Sequence, residues 1–314
     1  MKKKVVVLGG GTGLSNLLRG LKEFPVDITA IVSTCDDGKS TGRLREEFDQ
    51  PAVGDLRRVI IALSETESLF QDLFNYRFKT TSDLDGHTVG NLFLTAMMNM
   101  TGDMATGIKS LEKVLNLKGH VVPFSEDNIV LMAKMTDGTI VEGEHNITEA
   151  KKVIDTLYYK EEPHVCNEAI KAIKEADLII LSIGSVYTSI IPNLISNDIR
   201  DALDKSKAKI MYCCNIVTQP GETDELTASE HVNLLNKYLG NKKIGVGVFN
   251  NRELDPKLAK KYETEEQKDP VIFDKENLKD IDIIEDDFVT LKDGTFKHEP
   301  IKLAMRIFEY LLRK

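Results

Sequence analysis

This chain of 314 residues has few cysteines, no long apolar run and no net positive charge. Each of these features narrows the class of protein to which it can belong. The four cysteines include no Cys-x-x-Cys pair, so we expect free thiols in a reducing compartment. No apolar run reaches membrane-spanning length, and the first lysines lead into a strand pattern without a signal-peptide core. We therefore expect a cytoplasmic protein without a membrane span.

The charge balance argues against a nucleic-acid-binding protein, because the formal net charge is −9. Internal repeats, low-complexity segments and linkers are also missing, while strand-like and helix-like segments alternate. This alternation predicts one α/β domain over residues 1–314, with a Rossmann-like, mainly parallel sheet and helices on both faces, in three layers.

The first motif joins a strand to a helix through glycines. Val5–Leu8 is a β-branched run typical of a buried strand, Gly9–Gly13 contains four glycines, and leucines at helical spacing follow. Backbone amides at such a turn bind anions well, so we interpret Gly10, Gly11, Thr12 and Gly13 as a phosphate-binding loop. The alternative is a tight turn that only lets the helix pack, since Leu14 breaks the Gly-x-Gly-x-x-Gly pattern.

A polar segment, residues 34–45, follows the second predicted strand, Asp27–Ser33. We interpret this segment as a loop that contributes Thr34, Asp36, Asp37, Ser40 and Arg43 to the site. The two aspartates suit Mg²⁺, and the arginine suits a phosphate. The alternative is a surface loop whose aspartate caps the next turn.

Three more polar loops follow predicted strands or precede a predicted helix. Their candidate ligand-binding residues are His87 and Asn91 in the first, Gly184, Ser185 and Thr188 in the second, and Asn215 and Thr218 in the third. His87 is interpreted equally well as a ligand donor or as a capping residue. Because the carboxyl ends of parallel strands meet at one edge, we expect these loops to converge on one site.

The rest of the chain is predicted to be structural. An Asp-Gly turn at 137–138 predicts a hairpin inside a β insertion at about 120–145, to which we assign a structural or interface role. The nucleotide-binding core would span about 1–250, and an acidic extension about 251–314. Residues 261–290 carry 11 acidic and 4 basic side chains, typical of a solvated face. A helix over 69–78 should pack on the sheet, and a closing helix, 300–312, should bury Ile301, Ala304, Met305, Phe308, Leu311 and Leu312.

Six motifs in order resemble the CofD/YvcK family over about residues 4–240. They are Gly-Gly-Gly-Thr-Gly-Leu-Ser (9–15), Asp-Asp-Gly-x-Ser-x-Gly-Arg-Leu-Arg (36–45), Gly-Asp-Leu-Arg (54–57), Gly-His-x-x-Gly-Asn (86–91), Gly-Ser-x-Tyr-Thr-Ser (184–189) and Cys-Asn-x-x-Thr-Gln-x-Gly-Glu-Thr (214–223). Two positions depart from the family pattern: Lys39 replaces a second glycine after Asp-Asp, and Ile183 replaces a usual proline.

The chain is most similar to the YvcK branch of that family. The resemblance implies binding of nucleotide sugars such as UDP-N-acetylglucosamine, and regulation of cell-wall precursor supply and cell shape during gluconeogenic growth, through a protein partner. It also implies that Tyr262 and Lys297 contact the nucleotide sugar; Lys297 stands where the branch has arginine, which replaces a bidentate clamp by a point charge. The other branch implies a Mg²⁺-dependent 2-phospho-L-lactate transferase acting on a deazaflavin.

Three functions therefore compete: a regulatory binder of a nucleotide sugar, a phosphotransferase in which Asp36 or Asp37 holds Mg²⁺, and a nicotinamide dehydrogenase. The broken glycine pattern disfavours the dehydrogenase. The residues do not separate the other two, because a diphosphate site serves either, and the branch resemblance favours the binder. The sequence identifies no certain cofactor, with Mg²⁺ as the candidate, and it leaves the oligomeric state open.

Overall fold

The computed structural model describes residues 2–66, 68–292 and 295–313. Its strands are β1 (Lys3–Gly9), β2 (Val26–Val32), β3 (His120–Pro123), β4 (Leu131–Met135), β5 (Ile140–Glu142), β6 (Ile154–Tyr159), β7 (Leu178–Leu181), β8 (Lys209–Cys213), β9 (Ile244–Asn250), β10 (Asp282–Asp286), β11 (Val289–Lys292) and β12 (Thr295–His298). Its helices are α1 (Gly11–Leu21), α2 (Lys39–Phe48), α3 (Gly54–Leu63), α4 (Ser68–Asn75), α5 (Val89–Thr101), α6 (Met104–Val114), α7 (Glu144–Ala150), α8 (Asn167–Glu175), α9 (Asn197–Lys205), α10 (Ala228–Tyr238), α11 (Pro256–Glu266) and α12 (Pro300–Leu312).

Seven parallel strands form the central sheet, in the order β10-β9-β8-β7-β1-β2-β3. The alternation of β1 shows how the sheet is covered on both sides. Val5 and Val7 pack with α1, α3, α6 and α12, whereas Val6 and Leu8 pack with α8, α9 and α10. The predicted fold class, a parallel sheet between two helical layers, is confirmed.

The β insertion differs in its bounds from the prediction. β3, which the sequence places at the start of the insertion, pairs in parallel with β2 at the edge of the central sheet. The predicted hairpin is present as β4 and β5, but a third strand, β6, joins β4 on its other side. The small sheet therefore runs from 131 to 159, and its third strand lacks a turn signal of its own.

The segment 34–45 is not a loop throughout. α2 begins at Lys39, whose φ of 45° is left-handed, so Ser40 and Arg43 lie on a helix. A Cβ on Gly42 would stand 2.1 Å from the carbonyl oxygen of Asp37, so this glycine lets α2 pack onto the chain before it. Gly42, which suggested a loop, thus serves close packing.

Three predictions for the remaining elements need correction. α4 buries only Phe74, which packs edge-on against Phe93 of α5, rather than lying over the sheet. The acidic segment is not one solvated face, because β10 within it pairs with β9. The predicted buried face of α12 is confirmed in part: Ala304 and Leu311 are buried and Phe308 packs partly against the core, but Ile301, Met305 and Leu312 are exposed, and Leu303, Ile307 and Tyr310 are buried.

All four cysteines are free, as expected. Cys213 and Cys214 are both buried, in the cores on opposite faces of the sheet. Among the described residues no helix combines the length and the apolar character needed to cross a bilayer.

Candidate ligand-binding site

The strand order places a topological switch point between β1 and β7. From β1 the chain steps outward through β2 to β3, and the later strands β7, β8 and β9 step outward on the other side of β1. The loops that follow β1 and β7 therefore diverge and leave a crevice at the carboxyl edge of the sheet, which is where open α/β sheets bind ligands.

The glycine loop on one wall of this crevice is shaped by its neighbours. A Cβ on Gly10 would lie 2.6 Å from Oδ2 of Asp55, and one on Gly13 would lie 2.2 Å from the carbonyl oxygen of Ile183. Gly11 has a φ of 67°. Its N–H donates to Asp55 Oδ2 at 2.6 Å, so one amide of the predicted phosphate loop is already bound to a carboxylate. The tight-turn interpretation accounts for three of the glycines, while the rest of the α1 N-terminus faces the crevice.

The opposite wall is held by a pair of reciprocal hydrogen bonds. The Gly184 N–H donates to Asn215 Oδ1 at 3.1 Å, and Asn215 Nδ2 donates to the Gly184 carbonyl at 2.8 Å. Gly184 has a φ of 145°, which favours glycine. Asn215 therefore fixes the loop after β7 to the loop after β8 and acts as a positioning residue for the wall.

Between these walls lies a cavity of about 360 Å³. The structure brings seven predicted site residues together in its lining: Thr12, Gly13, Gly184, Ser185, Asn215, Thr218 and Lys297. Three cationic side chains, Arg19, Lys268 and Lys297, and one aromatic ring, Phe296, line the same space. Backbone N–H groups and cationic side chains suit a diphosphate, and an aromatic ring suits a base, so this lining fits a nucleoside diphosphate.

Sequence reasoning missed nine residues of this lining: Asn16, Arg19, Ile183, Ile216, Val217, Gln219, Lys268, Phe296 and His298. Two of them carried a usable signal, because Thr12, Asn16 and Arg19 are spaced four and three residues apart and share one face of α1. Lys268 and the β12 residues come from a distant part of the chain and belong to no chemical motif. Asn16 also ties α1 to this strand, since its Nδ2 donates to the His298 carbonyl at 2.7 Å.

Tyr262 lies behind the cavity wall. It is 5% exposed, its ring centroid is 5.0 Å from that of Phe296, and its hydroxyl oxygen accepts from the Phe296 N–H at 2.7 Å. The structure thus places Phe296, and not Tyr262, against the ligand space. Tyr262 orients the strand β12 that carries Phe296 and Lys297 into the lining.

The aspartates after β2 have their own partners. Both oxygens of Asp37 accept backbone N–H groups at the start of α7, from Glu144 at 3.1 Å and His145 at 2.8 Å, so it caps this helix. Asp36 accepts from the Gly38 N–H and from the Thr41 hydroxyl, both at 3.0 Å. The alternative considered for this loop, an aspartate that caps the next turn, thus describes Asp36, whereas Asp37 caps a helix far along the chain.

This geometry bears on the predicted Mg²⁺ site. Both oxygens of Asp37 accept protein hydrogen bonds, and so do both oxygens of Asp36 and of Asp55. Burial raises the pKa of Asp55, and the negative charge of Asp36 raises it further. Carboxylates are ligands that Mg²⁺ accepts, but all three of these aspartates already serve protein contacts. Within the described residues, no cluster of three or more His, Cys, Asp or Glu side chains is arranged for a metal ion.

A further group of predicted residues lies on the β2 side of the edge and does not line the cavity. Ser40 Oγ is 2.9 Å from His87 Nδ1 and accepts from Asn91 Nδ2 at 3.1 Å. Thr34 donates to the Ser125 carbonyl at 3.1 Å and is fully buried, so it ties β2 to β3. Arg43 is exposed and binds backbone carbonyls of the loop before α5. The structure therefore divides the single predicted site into two regions.

Two glutamates, the buried Glu222 and the half-buried Glu144, flank the hydroxyls of the β7 loop. Ser185 donates to Glu222 Oε2 at 2.5 Å and accepts from both the N–H and the hydroxyl of Thr188, each at 2.8 Å. Burial raises the pKa of Glu222 to about 7. Burial, with the charge of Asp36 as the next cause, raises the pKa of Glu144 to about 8, against a hydrogen bond from Thr188. Because Glu144 belongs to α7, the β insertion reaches this site, beyond the structural role assigned to it from the sequence.

Comparison with known proteins defines the class to which this fold and site belong. The family model described as "2-phospho-L-lactate transferase CofD" matches residues 5–289, so the chain belongs to the CofD family. A crystal structure of a Bacillus halodurans protein described as a member of the UPF0052 family superposes with a TM-score of 0.93 at 44% identity, covering 98% of this chain and 99% of that one.

Within the family, the chain is similar to proteins named "Gluconeogenesis factor". The Bacillus subtilis protein is 45% identical over 313 residues, which cover 99% of this chain and 98% of its own length. The Halalkalibacterium halodurans protein is 44% identical over 311 residues, which cover 98% of this chain and 96% of its own length. The expected family membership is confirmed.

Proposed function

We propose that this chain is a cytoplasmic regulatory protein that binds a nucleotide sugar of the UDP-N-acetylglucosamine type. The observation that carries the proposal is the cavity at the switch point, where three cationic side chains and Phe296 surround polar backbone. A diphosphate carries the negative charge that Arg19, Lys268 and Lys297 attract, and a uracil ring supplies a face for Phe296.

The regulatory part of the proposal rests on the relatives. Proteins with the printed name "Gluconeogenesis factor" match this chain over nearly their whole length. We extend that name to this chain as a role in cell-wall precursor supply and cell shape during gluconeogenic growth, in which the ligand-bound protein acts on a protein partner.

A calorimetric titration of the full chain with UDP-N-acetylglucosamine, GDP and NAD tests the ligand. We expect saturable binding of the UDP-sugar alone, without a requirement for Mg²⁺. Lys268→Gln should weaken that binding about tenfold, since it removes one of three charges at the diphosphate. Lys207→Gln, which changes an exposed lysine outside the cavity, is the matched control and should bind as the unchanged protein does. Binding of NAD alone, or equal affinities in both variants, would contradict the proposal.

The alternative is a Mg²⁺-dependent phospholactate transferase, favoured by the description of the matching family model and by the neighbouring charges of Asp36 and Asp55. Asp36, with Asp37 or Asp55, would hold Mg²⁺, which would neutralise phosphate charge. The same titration separates the two functions. GDP binding that depends on Mg²⁺ and is lost in Asp36→Asn supports the transferase, and unchanged affinity of every nucleotide in Asp36→Asn argues against a ligand role for this loop.

A further inference from the structure

A buried histidine in the lining of the switch-point cavity has an acceptor nitrogen. His298 is 6% exposed, and its Nε2 lies 3.1 Å from the carbonyl oxygen of Cys214. Because a carbonyl oxygen only accepts hydrogen bonds, Nε2 is the protonated nitrogen. Burial lowers the pKa of His298 to about 4, against the hydrogen bond to Cys214, so the ring is neutral at pH 7. A neutral imidazole carries one N–H, which leaves Nδ1 as an acceptor.

This acceptor nitrogen has access to the cavity. No hydrogen bond among the described residues uses Nδ1 of His298, and Nδ1 is not one of their fully buried polar atoms without a partner. It therefore retains accessible surface in a residue that is otherwise buried, and the space that this residue lines is the cavity. An acceptor does not suit a phosphate oxygen, which is also an acceptor, and requires an N–H or O–H donor from the ligand.

The ring of His298 is held from two sides. On one side, Asn16 Nδ2 of α1 donates to the His298 carbonyl at 2.7 Å. On the other, the Cys214 carbonyl after β8 accepts from Nε2. Turning the ring over would put a C–H in place of this N–H and lose the hydrogen bond. Nδ1 is therefore presented to the cavity in a fixed direction.

An aromatic ring accompanies the acceptor on the same strand. Phe296 and His298 are two residues apart on β12, so their side chains leave the same side of the strand, and both line the cavity. Phe296 packs against Tyr262 behind it, with ring centroids 5.0 Å apart, which steadies its ring. A stacking face beside a hydrogen-bond acceptor suits the planar ring and the polar edge of a nucleobase.

We propose that His298 selects the base of the bound nucleotide by accepting a hydrogen bond from a ring N–H. Uracil has such a donor at N3 and guanine at N1, whereas cytosine and adenine have a bare ring nitrogen at those positions. Two acceptors that face each other form no hydrogen bond and leave both atoms unpartnered, which penalises the wrong base. The inference rests on the proposed function only in that the cavity takes a nucleotide, and it applies to UDP sugars and to GDP alike.

A calorimetric titration of the full chain with UDP, CDP, GDP and ADP tests this selection. We expect UDP to bind at least about tenfold more tightly than CDP, because CDP leaves Nδ1 of His298 without a donor. If GDP is the tighter ligand instead of UDP, the nucleotide-sugar proposal fails. The selection by His298 then still predicts that GDP binds at least about tenfold more tightly than ADP.

The variant His298→Gln separates base selection from a purely structural role. Glutamine keeps an N–H near the place of Nε2, which can still donate to the Cys214 carbonyl, but it removes the acceptor at Nδ1. The ratio of UDP affinity to CDP affinity should fall to within about threefold. His231→Asn is the matched control, because His231 is also buried and bonded to a carbonyl, that of Thr227 at 2.8 Å, and lies outside the cavity lining. Its ratio should equal that of the unchanged protein.

Two modified ligands keep the test decisive if His298→Gln does not fold. 3-Methyluridine 5′-diphosphate lacks the N3–H and should bind the unchanged protein at least about tenfold more weakly than UDP. 5-Methyluridine 5′-diphosphate carries its methyl group away from N3 and should bind within about threefold of UDP. Equal affinities of UDP and CDP and of GDP and ADP, an unchanged ratio in His298→Gln, or no binding of any of the four nucleotides would overturn the proposal.

Discussion

The two sides of the switch point carry similar residue types and use them differently. After β7 and β8, glycine, serine, asparagine and threonine line an open cavity together with three cationic side chains. After β2, aspartates and hydroxyls are tied to backbone donors and to one another. The same composition thus lines a cavity on one side and ties a framework together on the other.

The largest loss of stability should come from a substitution where α1 touches the β7 loop. Gly13→Ala places a Cβ 2.2 Å from the Ile183 carbonyl oxygen, so α1 must move away from the β7 loop. We expect the free energy of unfolding to fall by about 2–3 kcal/mol, although alanine favours a helix, because overpacking exceeds the propensity gain. Urea denaturation measures the change.

Gly245→Ala is the matched control for this substitution. Its Cβ would be 3.6 Å from Lys209 Cδ, an ordinary contact, within strand β9. Its stability should stay within about 0.5 kcal/mol of the unchanged protein. Equal losses in the two variants would mean that the contact between α1 and the β7 loop is not tight.

An intermediate effect is expected on the ligand wall, where Glu222 controls a hydroxyl. The ionised carboxylate accepts a hydrogen bond from the Ser185 hydroxyl. Protonation of Glu222 weakens this bond, so the hydroxyl can donate to a ligand oxygen instead. With the pKa of Glu222 raised to about 7, affinity for UDP-N-acetylglucosamine should rise up to about tenfold from pH 8 to pH 6. Glu222→Gln should remove this contribution, while Glu144→Gln should retain it. Identical pH profiles of Glu222→Gln and the unchanged protein would exclude this role.

The same group makes stability depend on pH. Its pKa lies above the ordinary value of 4.5, so the folded protein keeps a proton that the unfolded chain releases as the pH rises. The contribution of Glu222 to stability is therefore greatest below about pH 4.5, declines as the pH rises to about 7, and is constant above. Unfolding temperatures of Glu222→Gln between pH 5 and 8 should lack this decline.

The smallest effect should come from the framework side. Asp37→Ala removes both acceptors at the start of α7, which should cost about 1 kcal/mol, the usual value of a helix cap. Affinity for the nucleotide sugar should change less than twofold, because Asp37 lies outside the cavity lining. A tenfold loss of affinity without loss of stability would reverse the assignment and return Asp37 to the ligand site.

Much of the fold was predictable because its signals are local. The β-branched run of β1, the leucine spacing of α1 and the Asp-Gly turn each depend on a few neighbouring residues. β10 was missed because its flanking acidic residues outweigh a short apolar pair, Ile283-Ile284, that only becomes a strand beside β9. Three residues of α12 were wrongly predicted to be buried because apolar residues occupy both candidate faces, and packing on α1 selects one.

By itself, the sequence determined that this is a parallel α/β protein with polar loops at one edge, since periodicity and glycine placement are properties of contiguous residues. Which of those loops can meet a ligand was decided by the tertiary structure alone. Asp37 is paired with amides more than 100 positions away, and Phe296 and Lys297 reach the cavity from the far end of the chain. A polar side chain can contact a ligand only where it retains a donor or acceptor for one after folding. Whether it does depends on protein partners that the spacing of residues in the sequence does not reveal.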